Sequence, residues 1–268
     1  MYTPREIPVN SCFAFVRARR FASLASTMLL VTAVCAALSE VGYAQQSPAT
    51  TSTLDSSLLS DFHHVEVASV SDAMEQVLGK RMYMSHRMRP LFPAKFAGYA
   101  LTVKLKKQEN HDPQALKGMI DAIDQGKENS VYVMVVEDGA DIAGMGGLMG
   151  TAMSSRNFSG AVIDGGVRDT AYLQKIGFPV FASGTVPSTS VGHYVFDGSN
   201  VPVVCDGVAV NPGDIIVADN DGVAVVPIAR AREILKVAQE MDYKEHSMYA
   251  VIEKLKSLGE AIRQFGRI

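Results

Sequence analysis

Cysteine is nearly missing from this chain of 268 residues: Cys12, Cys35 and Cys205 are all it has. Two of the three fall in an N-terminal stretch that reads as a leader, so one thiol remains in the body of the protein. That count excludes a disulfide framework and a zinc–cysteine site, and it leaves stability to a packed core and to oligomerisation. The histidines His63, His64, His86, His111, His193 and His246 show no metal-ligand spacing. Ser188-Thr-Ser190 lacks the partner pattern of a hydrolase triad. No basic cluster occurs either, which excludes nucleic acid as a partner.

What is present begins with that leader. Arg17, Arg19 and Arg20 precede an apolar run from Phe21 to Leu38, and Val41-Gly-Tyr-Ala44 puts small residues where a signal peptidase cuts. Residues 1–44 are therefore expected to be a signal peptide cleaved near Ala44, giving a periplasmic or secreted protein with no membrane contact after cleavage. From 25 basic and 28 acidic residues, loss of Arg5, Arg17, Arg19, Arg20, Glu6 and Glu40 leaves 21 and 26, a net charge of −5. Residues 45–64, opening on a Ser/Thr-rich stretch with Pro48, are expected to be a flexible tether. One domain follows over 65–227, free of internal repeats, and a C-terminal helical segment over 228–268.

Within the domain, Ser69 or Ser71 can cap a helix that runs to Leu78 and stops at Gly79. Tyr99–Lys106 alternates as a half-buried strand does, and Pro113 suits the first turn of a helix ending near Gly126. Val131–Val136 reads as a central strand. Leu148–Ser155 should be helical, Ala161–Asp164 a strand, Thr170–Ile176 a short helix and Pro179–Ala182 another strand. This order predicts an α/β fold with parallel crossover units. Short β runs then recur from Tyr194 to Val226, separated by turns such as Asn211-Pro-Gly-Asp214, and imply a mostly antiparallel β layer. Beyond Pro227 the composition favours helix, and Leu255–Ile262 is amphipathic.

The most informative stretch is Gly146 to Asp169. A glycine turn, Gly146-Gly-Leu-Met149, leaves backbone amides open to an anion, and the strand that follows ends on Arg168 and Asp169. Arg168 is a permanent planar cation suited to a carboxylate or an enolate, and Asp169 offers hard oxygen to Mg²⁺ or Mn²⁺. Taken alone, the dipeptide equally fits a surface ion pair in which Asp169 caps the next helix. The loop also imitates a dinucleotide fingerprint, with Asp164 near the position of a ribose-binding acid. Residues 138–144 intervene between strand and closely spaced glycines, which disfavours nicotinamide. His86 reads as a loop histidine, Met145, Met149 and Met153 as core fillers, and Cys205 as a packed small residue.

The run Val162-Ile-Asp-Gly-Gly-Val-Arg-Asp169 comes with Gly177-Phe-Pro-Val-Phe181, Pro212-Gly-Asp-Ile-Ile-Val-Ala-Asp219 and Asp221-Gly-Val-Ala-Val-Val-Pro227. Together with Ser71-Asp-Ala73 and Arg89-Pro-Leu-Phe92, these resemble the RraA-like family, which includes the 4-hydroxy-4-methyl-2-oxoglutarate aldolases. The resemblance implies a swivelling β/β/α-type domain assembled as a homotrimer or hexamer, with substrate between subunits. It further implies that Gly146, Gly147, Leu148 and Met149 contact the substrate carboxylate, that Arg168 binds the keto oxygen, and that Asp169 holds a divalent metal. The expected function is a metal-dependent carbon–carbon lyase that releases pyruvate from a small 2-oxo acid, by retro-aldol cleavage or decarboxylation of an oxaloacetate-like compound.

One position departs from that pattern. Strong aldolases of the family are expected to carry an acid three residues after the aspartate, where this chain has Tyr172. Glu240 and Glu245 are candidates for a base supplied by an adjacent subunit. The family also contains an inhibitor of an RNA-degrading endonuclease, so a non-catalytic binding role is the alternative expectation.

Overall fold

The computed structural model describes residues 56–266, so the expected signal peptide and the first part of the expected tether lie outside the described residues. In chain order, the elements begin α1 (Ser56–His64), α2 (Val67–Leu78), β1 (Arg89–Pro90), β2 (Phe96–Lys107), α3 (Lys117–Gln125) and β3 (Ser130–Val136). They continue β4 (Ala143–Met145), α4 (Gly147–Ser155), β5 (Gly160–Val167), α5 (Thr170–Lys175), β6 (Val180–Thr185) and β7 (Tyr194–Ser199). The last are β8 (Val203–Cys205), β9 (Val208–Val210), β10 (Ile215–Asp219), β11 (Gly222–Val226), α6 (Ala231–Leu255) and α7 (Leu258–Phe265).

Nine strands form one mixed sheet whose main path is β1-β6-β5-β3-β2-β10-β11, with β4 on β5 and β7 on β2. Neighbours from β2 through β3 and β5 to β6 are parallel, joined by the helical crossovers that parallel pairing requires. β7, β10 and β11 pair antiparallel and continue that same sheet. Only β8 and β9 stand apart, as a two-stranded hairpin. Tyr83 bridges to Ala224 on β11, and Arg89 and Pro90 pair with β6 at the opposite edge. One short segment thus ties both edges, and the sheet curls into a nearly closed barrel.

Alternation along the strands decides what each side touches, because successive side chains point to opposite faces. On β3, Val131 and Val133 face the barrel interior with Phe96, Phe181, Cys205 and Ile216. Tyr132, Met134 and Val136 face outward to α3, α4 and α5, where Met119, Ile123, Met153 and Leu173 cover them. Elsewhere outside the barrel, Ala97, Tyr99, Ile215 and Val217 are covered by α1, α2 and the first half of α6. Both faces are therefore dry, which is why β3 and β5 read as almost continuous apolar runs. Burial pushes the Cys205 thiol well above its ordinary pKa, first through desolvation and then through nearby Asp164 and Asp206. A thiol held protonated is a packed residue, as its β context suggested.

Three local expectations change. The tether expected over 45–64 is already helical from Ser56, because Leu58, Leu59 and Phe62 are buried against α2, α6 and the sheet. Apolar anchoring outweighs the polar composition of the segment. α2 starts at Val67, ahead of both serines, since its first amides are capped from a distance: the Val67 N–H donates to Asp219 Oδ2 at 3.0 Å, and the Glu66 N–H to Asp242 Oδ1 at 3.0 Å. Gly79 ends it in the left-handed conformation, with φ 63° and its N–H on the Glu75 carbonyl. Pro113 opens a turn rather than the helix, and α3 begins at Lys117.

Candidate functional site

The site forms where β4 and β5 end side by side and α4 and α5 begin. The Arg168 N–H donates to the Met145 carbonyl at 3.0 Å, so the two strand ends are locked in register and the start of α4 faces the end of β5. Gly146 makes the close approach possible: a Cβ there would stand 2.7 Å from Asp169 Oδ2 and 3.1 Å from Arg168 Cγ. Any side chain at this position would push the acid and the cation away from the helix terminus.

Asp169 lies in the left-handed region with φ 58°. Its carboxylate does not cap α5, the helix it precedes. Instead Oδ2 accepts the Gly147 N–H at 2.8 Å, so it caps α4 across the strand gap. That bond occupies the Gly147 amide, one of the four positions expected to contact a substrate carboxylate. The Leu148 and Met149 amides belong to the same first turn, where helix geometry provides no internal acceptor. They remain for an anion, favoured by the positive end of α4.

Arg168 Nε is 3.9 Å from Asp169 Oδ2, and the two side chains are 45% and 51% exposed. The guanidinium is steered by Ser188, whose carbonyl accepts from Arg168 Nη1 at 3.0 Å. The Ser188 hydroxyl accepts from the Ala143 N–H at 2.9 Å and donates to the Asp141 carbonyl at 2.9 Å. One residue thus pins the turn before β4, β4 itself and the cation. No motif in the sequence marks Ser188 for this work; its partners are 45 and 47 residues away in the chain.

Arg168, Asp169 and residues 146–149 open on a cavity of about 360 Å³. Its far wall is apolar, built by Met119, Ile120 and Ile123 of α3, Met145 of β4, Ala152 of α4 and Val191 of the following loop. Leu148 projects from the mouth, 90% exposed, so any contact it offers within the chain is through its backbone. Below the wall, the Tyr132 hydroxyl donates to the Met119 carbonyl at 3.3 Å, and burial pushes the Tyr132 pKa far up. Tyr172 stands beside Gly147, its hydroxyl 3.2 Å from that of Thr151, which donates to the Gly147 carbonyl. Glu240 and Glu245 sit on α6 and do not line this cavity within the chain.

No group of three or more His, Cys, Asp or Glu side chains able to hold a metal occurs among the described residues. The donor set nevertheless fits Mg²⁺ or Mn²⁺ bound mainly by water and substrate. Asp169 keeps Oδ1 clear of the Gly147 bond and is half exposed, and Mg²⁺ retains waters and accepts a single protein carboxylate.

A family model described as RraA-like, Aldolase/RraA, matches residues 67–225. No curated protein matches the sequence significantly. Among solved structures, an uncharacterized protein from Pseudomonas syringae pv. tomato is 26% identical, with a TM-score of 0.72 over 82% of this chain and 99% of its own. A protein described among novel cellulases from microbes associated with the gut ecosystem is 27% identical, with a TM-score of 0.69 over 75% of this chain and 90% of its own. RraAS2 of Streptomyces coelicolor, described as an unusual member of the RNase ES inhibitor RraA protein family, is 26% identical. Its TM-score is 0.64 over 74% of this chain and 97% of its own. The chain belongs to the RraA-like family.

Proposed function

We propose that this RraA-like chain is a divalent-metal-dependent carbon–carbon lyase that cleaves a small 2-oxo acid and releases pyruvate. The observation that carries the reading is the meeting of an exposed guanidinium, a half-committed carboxylate and two open first-turn amides at one cavity mouth. In a retro-aldol step the C3–C4 bond breaks, the 4-hydroxyl loses its proton, and the electron pair passes to the pyruvoyl fragment as an enolate that is reprotonated at C3. The barrier falls when positive charge is already in place where the enolate oxygen gains negative charge. Arg168 supplies it, held in orientation by the Ser188 carbonyl. The Leu148 and Met149 amides orient the substrate carboxylate. Asp169 is the residue to hold the metal ion, which when bound contributes a second positive charge at the keto and carboxylate oxygens.

The departure at Tyr172 bears on the proton. With a hydroxyl pair, Tyr172 and Thr151, in place of an acid, the 4-hydroxyl proton leaves through water in the open mouth or to a base such as Glu240 or Glu245 of a neighbouring copy. A homotrimer or hexamer is part of the proposal for that reason. Export, read from the leader, is a further part of it and separates this chain from any cytoplasmic partner.

A direct test incubates the purified protein with Mg²⁺ and either oxaloacetate or a 4-hydroxy-2-oxo acid, following pyruvate by a coupled assay. Pyruvate release abolished by a chelator and restored by Mg²⁺ or Mn²⁺ is expected. The second reading, a non-catalytic binding protein, draws on the missing acid at Tyr172 and on the likeness to the RNase ES inhibitor family. Silence toward all such substrates from a folded protein would favour it.

A further inference from the structure

The cavity is chemically one-sided, and this bears on which 2-oxo acid it takes. Arg168 is the only cationic side chain lining it, and the other ionisable groups there are the acids Asp124 and Asp169. The walls away from Arg168 are formed by methionine, isoleucine, alanine and valine side chains. Several remain open to solvent at the rim, with Ile120 50% and Val191 67% exposed.

Resting on the lyase reading above, we propose that the substrate is a monocarboxylic 4-hydroxy-2-oxo acid whose distal group is alkyl or aryl. A dicarboxylic acid does not suit this chain. Arg168 and the α4 amides can serve one carboxylate and one keto oxygen. A second carboxylate at the far end would lose its water shell against aliphatic carbon with no cation to meet it, and would face the Asp124 anion at the rim. A hydrocarbon chain in the same place removes apolar surface from water on both partners, worth roughly fourfold in kcat/KM per buried methylene. The products are then pyruvate and an apolar aldehyde. Atoms balance without any co-reactant: the C3–C4 bond breaks, the hydroxyl at C4 becomes the aldehyde carbonyl, and its proton is made good at C3 of pyruvate.

A matched pair isolates the claim. 4-Hydroxy-2-oxohexanoate and 4-hydroxy-2-oxoadipate have the same number of carbons and differ at the end, methyl against carboxylate. With Mg²⁺ present, the hexanoate is expected to exceed the adipate about tenfold or more in kcat/KM, and the heptanoate homologue to gain roughly another fourfold. Ile120→Arg places a cation on the exposed face of α3 without opening the core. It is expected to move the ratio toward the adipate by about tenfold, the worth of a charged hydrogen bond. Faster or equal cleavage of the adipate by the unaltered protein overturns this inference and leaves the lyase reading standing.

If neither compound is cleaved, the lyase reading falls, and the cavity is judged by binding instead. Calorimetry with Mg²⁺ and either 2-oxohexanoate or 2-oxoadipate then decides. Tighter 2-oxohexanoate, weakened in Ile120→Arg, supports an apolar distal subsite, and equal or tighter 2-oxoadipate overturns it.

Discussion

Arginine meets aspartate in two places in this molecule, and the two pairs are built to opposite ends. Arg87 Nη2 donates to Asp206 Oδ1 at 2.6 Å, and the aspartate side chain is only 1% exposed. Asp206 also accepts the Ser85 N–H through Oδ2, and its own N–H is taken by Asp164 Oδ2 at 2.7 Å. Arg168 and Asp169 stand 3.9 Å apart, both half exposed, with one carboxylate oxygen committed to an amide and the guanidinium anchored through Nη1 alone. A saturated pair holds the β8–β9 hairpin to the segment before β1. An unsaturated pair keeps bonding capacity for something that is not protein. Residue type alone is silent on that difference, which resides in distance, burial and the count of spent donors and acceptors.

Breaking each pair should therefore give a different phenotype. Arg168→Ala is expected to lower pyruvate turnover by about 10²–10³, by analogy with removal of one oxyanion donor. Its melting temperature should stay within a degree or two, since an exposed pair contributes little to stability. Unchanged turnover would disconnect Arg168 from the reaction.

Asp206→Asn should do the reverse, costing about 1–3 kcal/mol of stability in urea unfolding, because buried charge-assisted hydrogen bonds are lost or weakened. The effect depends on pH in a definite direction. Burial pushes the Asp206 pKa up, but the hydrogen bonds from Ser85 and Arg87 outweigh it and hold the group below its ordinary value of 3.8. The native state thus binds the proton less readily than the unfolded chain. Its stabilisation is present above pH 4 and fades as pH falls through the lowered native pKa. The gap between wild type and Asp206→Asn should accordingly narrow in acid, and a gap that widens there would contradict the assignment.

Ser188→Ala sharpens the contrast at the open pair. It keeps the carbonyl that Arg168 uses but removes the hydroxyl bonds that place that carbonyl, and roughly a tenfold loss in turnover is expected with substrate affinity nearly unchanged. Rescue by Ser188→Thr would distinguish a positioning hydroxyl from a packing effect. The smallest change is Tyr132→Phe, which removes a buried bond to the cavity wall. It should cost about 1 kcal/mol in unfolding and leave catalysis close to wild type.

The sequence foretold some parts of this structure better than others, for physical reasons. The strand cores at Val131–Val136 and Ala161–Asp164 were legible because fully buried parallel strands must be apolar on both faces. The stop at Gly79 was legible because a left-handed residue favours glycine. The start of α2 was not, since Asp219 and Asp242 supply its caps from more than 150 residues away. Residues 56–64 misled for a related reason: three apolar anchors among polar neighbours look like linker until a sheet is there to receive them.

Local chemistry determined the order of elements, the apolar alternation of the core and the arrival of a cation and an acid together at the end of β5. Tertiary structure alone decided that Asp169 caps α4 instead of its own helix, that Ser188 holds the guanidinium, and that a dry wall from α3 faces them across a cavity. Those outcomes depend on groups distant in the chain meeting at hydrogen-bond range, and no periodicity or propensity encodes such a meeting.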